Sequence, residues 1–202
     1  NMKLNKFIVL SFITFSQNAF SEVSANAGYV SDYLFRGIYQ SGSSASTGAD
    51  YEVGGFYLGT WVADVGEALE YDLYSGYGVE LGDVSLSIGA TGYYYTQDWD
   101  QTYEEINFGL GYAGFALDYA DGEYDATTGA EDYEFTSIGY SLDNGIGLLY
   151  GSFADNGGDY IEISYGFDLA GVDAFVALTV GDDTNTDDAL VFGLGRSFSI
   201  SD

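Results

Sequence analysis

From Val23 onward, apolar and polar residues alternate singly along most of this chain, with no stretch of sustained helical periodicity. The clearest case runs from Val172 to Val180. There Val172, Ala174, Val176, Leu178 and Val180 share one face, while Asp173, Ala177, Thr179 and Gly181 occupy the other. A period of two is that of a β-strand, whose successive side chains point to opposite sides. The same alternation recurs in Val84, Leu86, Ile88 and Ala90 against Ser85, Ser87, Gly89 and Thr91. It appears again in Ile106, Phe108, Leu110 and Tyr112 against Glu105, Asn107, Gly109 and Gly111, and in Ile161, Ile163, Tyr165 and Phe167 against Glu162, Ser164 and Gly166. A water-exposed sandwich face would mix Lys with Glu. Here the second face is Gly, Ser, Thr and isolated acids, which suits the narrow interior of a barrel.

Turn formers divide these runs. Short connections are expected at Gly54-Gly55, Gly82-Asp83, Ala113-Gly114, Asp143-Asn144-Gly145 and 168–171, where residues tolerant of positive φ cluster. Longer polar connections fall at 39–47, 65–69, 96–102, 122–131, 155–159 and 182–188. The two kinds alternate, which predicts twelve strands: 23–38, 48–53, 56–64, 70–81, 84–95, 103–113, 115–121, 132–142, 146–154, 160–167, 172–181 and 189–200. The second and seventh are short, and ten strands result if the second only continues the first. The expected fold is all-β: a closed antiparallel up-and-down transmembrane β-barrel over residues 22–202, with both termini at the short-turn end. Tyr29, Tyr33, Phe35, Tyr57, Trp61, Tyr71, Tyr94, Trp99, Tyr112, Tyr119, Tyr140 and Tyr165 lie mostly toward strand ends, as interfacial girdles require.

The front of the chain differs. Lys3 and Lys6 precede an apolar run from Phe7 to Phe15, and Ala19-Phe20-Ser21 offers a small-x-small cleavage site. Residues 1–21 therefore read as a secretory signal peptide, too short to span as a helix. Its removal takes away both lysines and no acid, moving the net charge from −28 to −30 and leaving Arg36 and Arg196 as the only cations. Such a surface repels nucleic acid. The 29 Gly, 20 Tyr and 14 Phe, with no Pro, suit many strands joined by tight turns. Cysteine is absent, so no disulfide staples the fold, and histidine is absent too. Together these absences exclude His-based triads, Cys–His nucleophiles and zinc or haem ligation by those residues.

Asp32, Arg36, Asp50, Asp72, Glu80, Glu105, Asp118, Glu162 and Asp173 take the parity expected to line the pore. The acids are spread round the barrel without the paired spacing of a glycosidase, so they set the sign of the channel rather than a reaction, and no catalytic or cofactor-binding residue is assigned. Arg36 is expected either opposite Asp50, where an ion pair would narrow or order the pore mouth, or at the rim, offsetting the surrounding carboxylates. Arg196 falls on the outward parity, where its side chain can snorkel to the interface. Tyr74, Tyr93, Tyr95 and Phe175 are candidates for a constriction. Calcium is the one cofactor to weigh, at Asp121, Glu123 and Asp125, at Asp182, Asp183, Asp187 and Asp188, and at the pair Asp98 and Asp100. No EF-hand spacing occurs, and a solvated anionic crown of loops accounts for the same residues.

The run from Ser24 to Gly37, with its Ser31-Asp32-Tyr33-Leu34-Phe35-Arg36-Gly37 block, is similar to the opening of the TorF family of porin-like outer-membrane barrels. So are the segments Gly54–Trp61 and Glu70–Gly78. The resemblance runs in order over the mature chain, with its diagnostic residues in the first third. It implies a bacterial outer-membrane location, contact with lipid and with the barrel-assembly machinery, and no catalytic residues. It departs from the terminal aromatic usual in such barrels, since Phe198 is followed by Ser199-Ile200-Ser201-Asp202. The expected function is passive, cation-favouring passage of small solutes or ions. A closed structural or adhesive barrel with acidic, divalent-cation-binding loops is the alternative.

Overall fold

The computed structural model describes residues 21–182 and 185–200, so the signal peptide expected over 1–21, all but its last residue, and the candidate Asp183 lie outside it. Among the described residues, twelve antiparallel strands form one closed barrel in which each strand pairs with its neighbours in sequence and the first pairs with the last. They are β1 (Glu22–Phe35), β2 (Ile38–Val53), β3 (Phe56–Asp64), β4 (Leu69–Leu81), β5 (Val84–Tyr95), β6 (Tyr103–Tyr112), β7 (Phe115–Ala126), β8 (Gly129–Ser141), β9 (Ile146–Phe153), β10 (Asp159–Leu169), β11 (Val172–Gly181) and β12 (Ala189–Ser199). Closure leaves no free edge, so the wall's backbone groups pair sideways all the way round.

Alternation sorts the side chains as the sequence predicts. Leu58, Leu73, Ile88, Phe108, Leu110, Leu117, Ile138, Leu148, Ile163, Leu178 and Phe192 stand exposed on the outside, forming a continuous apolar belt. Soluble monomers rarely show an apolar surface of that extent. No helix among the described residues is long and apolar enough to cross a membrane. Gly, Ser and Thr line the inside, together with buried acids and tyrosines.

Tight turns close the end where the chain enters and leaves. Gly54-Gly55, Ala113-Gly114 and Ala170-Gly171 each carry two consecutive positive φ values, the geometry that matches the strands' own twist. At the far end two of the expected long loops are instead strand. The segment 122–131 is a hairpin in which β7 and β8 pair up to Ala126 and Gly129. The segment 39–47 belongs to β2, which returns directly from a two-residue turn at Arg36 (φ 51°) and Gly37 (φ 80°). These stretches lack apolar alternation because neither of their faces belongs to the greasy belt.

Candidate functional site: an inward hairpin and its carboxylate anchor

Strand β1 pairs with β12 only as far as Val30, and β2 pairs with β3 only from Ser46 onward. Residues 31–45 therefore have no outer partner strand: pairs within 32–42 join the two arms, and Ser44 and Ala45 pair with Val30 and Tyr29 of β1, as a hairpin that leaves the wall. Its tip crosses the barrel: Arg36 reaches β6 and β8, and Gly37 lies against Tyr160 of β10. Local chemistry explains the path. On the hairpin Tyr33 packs with Ala63, Val65 and Ala68, flanked by Phe35, Trp61 and Trp99, while Leu34 packs on Phe175, Ala177 and Val191. The returning strand is mostly Gly and Ser, so it fits where bulk would clash. Ser41 and Ser44 are buried, and the Ser41 hydroxyl donates to the Asp64 carbonyl at 2.9 Å.

The anchor is Glu105, inward on β6 and 4 % exposed. Arg36 donates to it twice, Nη1 to Oε2 at 2.9 Å and Nη2 to Oε1 at 2.8 Å. Tyr93 (2.7 Å) and Asn107 (2.7 Å) also donate to Oε1, and Tyr133 (2.8 Å) donates to Oε2. Five donors saturate one carboxylate, in the bidentate geometry that makes Arg pairs strong. The guanidinium also lies over the rings of Phe35 (4.8 Å) and Phe135 (4.5 Å). Backbone contacts hold the tip from the other side: Asp187 N donates to the Gly37 carbonyl at 2.8 Å, and Tyr39 N donates to the Asp187 carboxylate at 2.9 Å. A recess of about 330 Å³ remains beside the tip, bordered by Ile38, Tyr133, Phe153 and Asn185.

Two more inward acids sit on β4. Glu70, 1 % exposed, accepts from the hydroxyls of Tyr33 (2.6 Å) and Tyr95. Asp72, 7 % exposed, lies between Trp61 and Tyr93 in cross-strand register, and its Oδ1 has no hydrogen-bond partner. Glu70 has the same parity as Asp72, which was the available signal for it; its place at the strand end kept it from being picked out.

The expected Arg36–Asp50 pair does not form. Asp50 lies opposite Ser24, far down the hairpin from the tip, and accepts from the Tyr74 hydroxyl. A tight turn at Arg36-Gly37 rather than a long loop is what separates them. Glu80, Asp118, Glu162 and Asp173 alternate with exposed or outward neighbours and are partly buried on the inner side, with Thr179 donating to Glu162 at 3.4 Å. Asp32 lies on the free part of the hairpin, opposite Gly42, and is not brought to Glu105. Tyr33, Tyr57, Trp61 and Trp99, expected in the girdles, are buried or packed inward instead. Tyr29, Tyr71, Tyr112 and Tyr165 are on the exposed outer side.

Among the loop acids, Asp121, Glu123 and Asp125 fall on one exposed face of β7 rather than in a loop. Asp182 accepts from Thr186 at 3.1 Å, and Asp188 accepts from Gly181 N at 3.0 Å. Asp100 accepts from the hydroxyls of Tyr103 (3.0 Å) and Tyr124 (2.7 Å). Among the described residues, no group of three or more acids is placed to hold a metal ion.

Against known proteins, residues 16–193 match a family described as bacterial protein of unknown function (Gcw_chp). No curated protein matches the sequence. Among solved structures, the KdgM porin superposes with a TM-score of 0.57 at 10% identity, covering 88% of this chain and 99% of that one. The same porin in complex with disordered oligogalacturonate gives 0.56, again at 10% identity, over 88% and 99% of the two chains. A structure from a study of the in-meso crystallization of membrane proteins gives 0.60 at 12% identity, over 89% of this chain and 84% of that one. These likenesses establish the fold as that of outer-membrane porin barrels.

Proposed function

Because this chain belongs to the Gcw_chp family, whose function is unknown, we propose its role from its own geometry: a porin-like outer-membrane channel passing small cations, narrowed at its mouth by the first hairpin. The observation that carries the reading is the division of one closed wall into an apolar outside and an inside dotted with Asp50, Glu70, Asp72, Glu80, Glu105, Asp118, Glu162 and Asp173. Hydrocarbon is the only solvent that suits the first face, and inward carboxylates lower the free energy of cations relative to anions. The opening residues' similarity to the TorF porins, the signal-peptide pattern and insertion by the barrel-assembly machinery belong to the same reading, which assigns no catalysis. Twelve strands enclose a lumen narrower than that of the 16–18-stranded porins, so the solutes are ions or small metabolites.

One observation favours a second reading, a closed structural barrel: the hairpin 31–45 lies inside the mouth and is locked on Glu105. Planar-bilayer recording in a KCl gradient separates the two. The channel reading expects a small conductance with a reversal potential on the potassium side, enlarged by Glu105→Gln. Equal passage of potassium and chloride removes the cation preference. Silence in both the wild type and Glu105→Gln leaves the structural barrel.

A further inference from the structure

The buried acids of the lumen are not equivalent. Glu105 is saturated by five donors and Glu70 accepts from two tyrosines. Asp72 stands on the same inner face, is only 7 % exposed, and keeps one oxygen, Oδ1, with no partner among the described residues. An unsatisfied carboxylate oxygen at that depth costs free energy that a hydrogen-bond donor or a cation would recover. Among the described residues none donates to it: its register neighbours are Trp61, whose ring packs edge-on to Tyr33 at 5.6 Å, and Tyr93, whose hydroxyl donates to Glu105. The cation on the spot, Arg36, is likewise committed to Glu105.

We propose that Asp72 is the coordination point of a single monovalent cation, an alkali ion or a protonated primary amine, held beneath the hairpin between Trp61 and Tyr93. A divalent ion fits poorly, because no group of three or more acids converges among the described residues to balance its second charge. The proposal deepens the cation-channel reading and rests on it for its biological sense, but the site itself exists whether or not the barrel conducts.

The test therefore reads binding, not current. The mature barrel, folded in detergent micelles, is titrated with KCl against N-methylglucamine chloride at constant ionic strength, and in a second series with methylammonium chloride. Trp61 beside Asp72 reports by its fluorescence. The wild type is expected to give a saturable change, which Asp72→Asn abolishes and Glu80→Gln leaves intact. A linear, non-saturating response in the wild type, or an unchanged saturable response in Asp72→Asn, overturns the proposal. Asn keeps the shape of Asp, and the wild-type titration stands alone should that variant fold badly. Saturable binding in a barrel that passes no current would retain the site and discard the channel.

Discussion

At the scale of single residues, the hairpin's position depends on one carboxylate. Glu105 has no exposed side-chain surface in its pair with Arg36, whose own side chain is 9 % exposed. Breaking a buried pair by neutralising one partner is costly, on the order of 3–5 kcal/mol, because the other charge is left without compensation. Glu105→Gln would therefore lower the unfolding free energy of the detergent-folded barrel by that order, seen as a lower urea midpoint, whether the guanidinium stays buried or the tip gives up its contacts. Adding Arg36→Met should restore at least half of the loss, since the glutamine oxygen, placed where Oε1 stands, still accepts from Tyr93 and Asn107 and no orphaned cation remains. Glu80→Gln, at a partly buried inward position, should change the midpoint little. A double variant no more stable than Glu105→Gln alone would mean that the ion pair is not what seats the hairpin.

At the scale of elements, the hairpin over 31–45 parts from β12 beyond Val30 and from β3 before Ser46, and the chain carries a built-in reporter for it. Trypsin cuts after Arg or Lys, and the Arg36–Gly37 bond sits at the tip with its guanidinium buried against Glu105 and two rings. The folded wild type in liposomes should resist cleavage there. Gly37→Val should expose the bond, because Gly37 has φ +80° and a side chain at that position would meet the Tyr160 ring at 2.7 Å. Peptide mapping after a timed digest checks this: equal resistance in Gly37→Val would show that the tip is not wedged against β10. The sequence made the wall legible but hid this element, for a physical reason. Val84–Ala90 or Val172–Val180 announce themselves because an apolar exterior must alternate with a crowded interior. Ile38–Gly48 does not, since its Ser and Gly residues are chosen to be small beside other protein, and such composition reads as loop. The inward parity of Asp72, Glu80, Glu105, Glu162 and Asp173 followed from alternation alone. That Arg36 would meet Glu105 rather than Asp50 did not, because the pairing joins residues 69 apart in the chain through a fold-back no local pattern encodes.

At the scale of the whole molecule, charge decides how the barrel responds to salt, and two effects pull in opposite directions. The chain has 32 acids against 4 basic residues, a net charge of −28, so long-range self-repulsion opposes the compact state. Salt relieves it: the screening length falls from about 30 Å at 0.01 M to about 3 Å at 1 M. Against this, salt weakens attractive pairs, yet the Arg36–Glu105 bridge is buried and therefore screened much less than a surface pair. The repulsive term is the one that salt reaches. Thermal unfolding of the detergent-folded barrel should thus shift to higher temperature as NaCl rises from about 0.01 to about 1 M. The same shift should persist in Asp72→Asn when N-methylglucamine chloride replaces NaCl, because screening does not depend on a particular cation entering the lumen. A midpoint that falls with salt would require attractive ion pairs to outweigh the acidic excess, which a chain with 4 basic residues against 32 acids has few means to build.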